Sequence, residues 1–152
     1  FQEKARDLFN RVVADFFEMN PAINLITWTQ YTPYFNDGEA CEFNVNEPYF
    51  SNATGDDLDD ITSYGEYGGD NDDIWSESGF KYALNNRDRE YYKKAAAAVD
   101  AGGIDVESCE FFSKMIQTAT VIIFKTVLPR STMILCLPKK DYTTNNRGYL
   151  YS

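Results

Sequence analysis

The 152-residue chain contains no histidine. That absence removes Ser-His-Asp and Cys-His nucleophile pairs, zinc sites of the HExxH type and haem held by a proximal His. Proton transfer would fall to Asp, Glu, Lys, Tyr or Cys. Cysteine is scarce as well. Cys41, Cys109 and Cys136 are odd in number and far apart, with no CxxC pair, which leaves no zinc knuckle and no thioredoxin-type motif. They read as reduced, buried thiols. GxGxxG and GxxxxGK[ST] are both missing, so the common phosphate-cradling loops are absent. Nothing in these residues reads as a signal peptide. The longest largely apolar run, 119–128, is interrupted by Lys125 and is too short to span a bilayer. Asn52-Ala53-Thr54 matches a glycosylation sequon, a triplet common by chance, and no other feature points to secretion.

The third absence is of positive charge. Between Arg11 and Lys81 there is no Lys or Arg, while residues 12–80 hold fifteen carboxylates. After residue 110 the balance inverts: Lys114, Lys125, Arg130, Lys139, Lys140 and Arg147 face only Asp141. The whole chain carries a net charge of -10, which makes direct binding of nucleic acid by its overall surface unfavourable. A negative lobe of this kind steers positively charged partners.

What is present in quantity is apolar and aromatic. Hydrophobic residues make up 43% and aromatics 16%, enough for a core rich in large rings. The length suits one domain spanning 1–152. Residues 1–19 have helical periodicity, with Leu8, Val12 and Phe16 as the predicted buried stripe and Ala5 and Phe9 beside it; Asn20-Pro21 ends the helix. Ile23 to Tyr34 reads as a strand with bulky groups on both faces, so both are expected to be covered at least in part. Asn36-Asp37-Gly38 is the turn of a hairpin, and Cys41 to Val45 the return strand, with Cys41, Phe43 and Val45 facing the core. The residues expected to build this hairpin are Trp28, Tyr31, Tyr34, Asp37 and Gly38.

Residues 51–79 are rich in Gly, Ser, Asp and Asn and read as a long acidic loop or insertion. Leu58, Ile61, Tyr64, Tyr67, Ile74 and Trp75 are its large apolar groups and are expected to pin it to the body. A helix is predicted over 85–99, stopped by Gly102-Gly103, and another follows the cap residue Asp105, with Cys109, Phe112, Ile116 and Ala119 at helical spacing. Thr132 to Leu137 reads as a strand, 139–147 as a loop and 148–151 as a short return strand. The sum is an α+β fold: a small, mainly antiparallel sheet of two hairpins with helices packed on one face.

For function, the charge and the rings point the same way. Asp56, Asp57, Asp59, Asp60, Asp70, Asp72 and Asp73, with Tyr64, Tyr67 and Trp75, are the candidate binding surface, and its expected partner is a basic protein. Fourteen aromatics between Phe16 and Tyr82 accompany the carboxylates, a scaffold on which they would imitate the phosphates of DNA. Asp70, Asp72 and Asp73 do not make an EF-hand, because the sixth position counted from Asp70 is Trp75 rather than Gly; an irregular divalent-cation site stays open, and no metal or cofactor is assigned. No catalytic residue is assigned either. The alternative is a small carboxylate-based hydrolase, in which Trp28, Tyr31 and Tyr34 would stack a substrate such as a sugar.

The stretch "WTQYTPYFNDGEACEFNVNEPYF", Trp28 to Phe50, resembles a motif in small uncharacterised proteins encoded by tailed bacteriophages. The resemblance covers roughly residues 26–50 and, with the terminal hairpin, about a quarter of the chain. It implies a virus-encoded protein of the host cytoplasm, with no membrane association, and carries no catalytic residues. By analogy of class, it implies a factor that occupies or inhibits a host protein.

Overall fold

The computed structural model describes residues 2–31, 44–56, 74–124, 132–143 and 146–147. Their order is α1 (Gln2–Met19), β1 (Leu25–Tyr31), β2 (Asn44–Val45), β3 (Tyr49–Ser51), β4 (Ile74–Ser76), α2 (Glu77–Asn85), α3 (Glu90–Asp100), α4 (Val106–Phe124), β5 (Thr132–Pro138), β6 (Tyr142–Thr143) and β7 (Asn146–Arg147). The fold is α+β, with a small antiparallel sheet.

β1 is the central strand. One edge pairs along its full length with β5, from Leu25 opposite Pro138 to Tyr31 opposite Thr132. The other edge carries β2 at one end and β3 at the other, and β4 pairs with β3. Of the predicted first hairpin, the described part is the antiparallel pairing of β1 with β2. Gln30 lies opposite Val45 and Tyr31 opposite Asn44, the register that a turn centred on Asp37-Gly38 would impose. Tyr34, Asp37, Gly38, Cys41 and Phe43 themselves lie outside the described residues.

Between β2 and β3 the ladder slips by one. Asn46, Glu47 and Pro48 face only Trp28 and Thr29, which makes a β-bulge. Pro48 has no N–H to contribute to a ladder, so a bulge is where it fits. Asn46 bridges the gap: its backbone N–H donates to the Thr29 carbonyl at 2.9 Å and its Nδ2 to Thr29 Oγ1 at 2.7 Å.

The sheet's alternation then sorts its side chains. Ile26, Trp28, Val45, Phe50, Trp75 and Leu137 share the face that packs on the helices. Leu25 and Ala53, with Tyr49 and Cys136 against them, form a smaller cluster on the opposite face. Both faces of β1 are covered, as its bulky alternation predicts; Leu25, Ile26, Thr27, Trp28 and Thr29 are all buried.

On the helical side, rings dominate. Phe16 stacks on Phe50 at 5.3 Å and tilts against Phe112 at 4.8 Å, and Phe50 stacks on Phe80 at 6.0 Å. Phe9 meets Trp28 edge-on at 6.4 Å. These described rings pack in the offset and edge-to-face geometries that ring quadrupoles favour.

Four expectations are corrected. In α1 the buried residues are Phe9, Asn10, Val13, Ala14, Phe16 and Phe17, while Leu8 is 59% exposed. Two overlapping apolar stripes run along this helix, and the pair of adjacent rings at 16 and 17 decides which one turns inward. The acidic loop is shorter at its end than 51–79, since β4 and the start of α2 occupy 74–79. Ser76 caps α2 by accepting the Gly79 N–H at 3.1 Å, a helix start hidden within a Ser/Gly-rich composition. The helix predicted over 85–99 is α3 and begins later, at Glu90; the turn at 86–89 separates it from α2, a helix not predicted, and Asn86 closes α2 with its Nδ2 donating to the Tyr82 carbonyl. Finally, β5 pairs with β1, and a small hairpin, β6–β7, lies inside the stretch read as a loop. The expected return strand over 148–151 lies outside the described residues.

Helix ends follow the local rules. Gly102 has φ 77° and its N–H reaches the Val99 carbonyl, while the Gly103 N–H reaches that of Ala98. This is the Schellman arrangement. Gly103 is also a point of close approach, where a β-carbon would lie 2.7 Å from Ala22 Cβ. Asp105 caps α4 by accepting the Glu107 N–H at 3.1 Å.

Candidate binding surface and its anchorage

The acidic run leaves the sheet after β3 and returns to it at β4, where Ser51 and Ile74 are direct partners. Its two ends are therefore held side by side by a ladder. The first residues beyond β3 belong to the body. Ala53 is buried against Leu25, its N–H donates to Ser51 Oγ, and its carbonyl accepts from Asn24 Nδ2 at 3.0 Å. Asp56 follows and is exposed. Asp57, Asp59, Asp60, Tyr64, Tyr67, Asp70, Asp72 and Asp73 lie outside the described residues.

Trp75 is a correction. Assigned to the binding surface, it is instead 3% exposed and packs on Phe80 with ring centroids 5.9 Å apart. Its register opposite Phe50 turns it to the helical side of the sheet. It does what the pinning expectation asked, tethering the end of the acidic run to the core. Trp28 is likewise core, and of Tyr31 the backbone alone is described, in β1.

The described carboxylates of the acidic half divide by position. Asp15 and Glu18 are exposed on α1 beside exposed Met19, and Glu47 is half-buried in the bulge. The ion pairs among described residues join partners within 77–114. Lys81 meets Glu77 at 2.7 Å and Glu110 at 3.4 Å, Arg87 meets Asp100 at 2.6 Å, and Lys93 meets Glu90 at 2.7 Å. The hydrogen bond to Glu77 raises the Lys81 pKa, against some desolvation and with help from Glu110. These pairs are solvated, and solvent screening leaves such pairs little part in stability. Lys139, from the basic C-terminal part, donates through Nζ to the Pro21 carbonyl.

A residue that sequence reasoning treated only as a helix stop carries the α1–α4 junction. Asn20 is fully buried. Its Nδ2 donates to the Phe16 carbonyl at 2.9 Å and to Ser108 Oγ at 2.7 Å, and its Oδ1 accepts the Asp105 N–H at 2.7 Å. The end of one helix is thereby tied to the cap of another. The available signal was an Asn placed immediately before Pro21 at the end of an apolar helix.

The thiol of Cys109 lies beside this knot, and burial pushes its pKa well up, with Asp105 and Glu77 adding to the shift. A thiol held protonated in this way is not a nucleophile at neutral pH. Burial also raises the Tyr142 pKa, helped by Asp141. Among the described residues no three Cys, Asp or Glu side chains cluster as a metal site, and no helix is long and apolar enough to cross a membrane. No protein-family model, curated protein or solved structure matches the chain.

Proposed function

We propose that this protein is a non-enzymatic acidic binding protein that occupies a basic or nucleic-acid-binding partner. On the resemblance of Trp28–Phe50 to phage proteins, it is a phage-encoded factor acting on a host protein in the host cytoplasm. The observation that carries the reading is the segregation of charge: fifteen carboxylates and no Lys or Arg over residues 12–80. Two features of the fold support it. The acidic run starts and ends on paired residues of β3 and β4, so its charge is not needed to close the sheet. Of the fifteen, Glu77 at the end of the run pairs with Lys81, and the other described ion pairs of α2 and α3 use carboxylates at 90, 100 and 110, outside it. Carboxylates so concentrated repel one another; the chain's own C-terminal Lys and Arg would offset that repulsion if folded back onto the run, and a basic partner relieves it if the run is open.

The test is the association rate, across a range of salt, of the intact chain with a basic host protein that it captures. The rate should fall steeply as salt rises. Replacing Asp56, Asp57, Asp59 and Asp60 together with Asn and Ser should slow association by about tenfold and change dissociation little, because rim charges act on encounter. Neutralising Asp70, Asp72 and Asp73 provides the matched second patch. A rate indifferent to salt and to both patches would overturn the proposal and leave the acidic run as a solubility feature.

A further inference from the structure

We draw no further inference here: the strongest candidate, the outer edge of the seven-residue strand β5 (Thr132–Pro138), which pairs with β1 on one side and with no second strand among the described residues, carries nothing because nothing in the structure shows what covers it.

Discussion

The α1–α4 junction and the acidic half of the chain use polar chemistry in opposite ways. At the junction one uncharged side chain, Asn20, is buried with its donors and acceptor all engaged. In the acidic half the charge is abundant, and Asp15, Glu18 and Asp56 stand exposed. Buried amides are worth having only when fully paired, whereas exposed carboxylates contribute little to the fold and act at long range. The difference teaches that the residues that hold the core together and those that carry exposed negative charge are separate sets. A substitution can therefore strike one and leave the other.

The largest effect should come from the ring cluster. Phe50 touches Phe16, Phe80 and Phe112 and is fully buried. Phe50→Ala should cost about 3–5 kcal/mol through lost transfer energy and a cavity, read as a lowered midpoint in urea. An unchanged midpoint would mean that the rings are not the centre of stability. Asn20→Ala comes next. It leaves the Asp105 N–H and the Phe16 carbonyl without their side-chain partner, and should cost about 2–4 kcal/mol in the same measurement.

A pH series sharpens the contrast at smaller scale. Cys109 has a pKa raised by burial above its ordinary 9.0, so the folded state holds a proton that the unfolded chain releases. Stability from this source is complete below about pH 9 and falls as pH rises, by up to about 1.4 kcal/mol per unit for one group. Tyr142, also raised, adds to the loss above its ordinary 10.0. Cys109→Ala should flatten the decline between pH 9 and 10, and a slope identical to that of the parent would remove Cys109 as its source.

Asn10 offers a test of opposite sign. It is 4% exposed in α1, and neither its Nδ2 nor its Oδ1 has a partner. Asn10→Leu, of similar shape, should raise stability by about 1 kcal/mol by removing an unpaired buried amide; a lower melting temperature would refute this. The smallest effect on stability belongs to the acidic side. Neutralising Asp56, Asp57, Asp59 and Asp60 should shift the unfolding free energy by less than about 0.5 kcal/mol while slowing association. A large loss of stability would show that these carboxylates serve the fold.

Much of the local structure was legible in the residues themselves. Pro21 ends α1 because it cannot continue a helix, Asp105 caps α4, and Gly102-Gly103 close α3, all through interactions spanning a few residues. The alternation of β1 and its antiparallel pairing with β2 also follow from neighbours in sequence. The charge segregation, on which the functional proposal rests, is likewise a property of the sequence. Other features were decided only by tertiary packing. Whether Leu8 or Phe9 faces inward, and where Trp75 lies, depends on what each meets across the core. The pairing of β1 with β5 joins Leu25 to Pro138, and the Asn20 knot reaches Asp105 and Ser108. No local propensity specifies such partners, because the burial and hydrogen bonding that favour them arise only once the chain has closed those long loops.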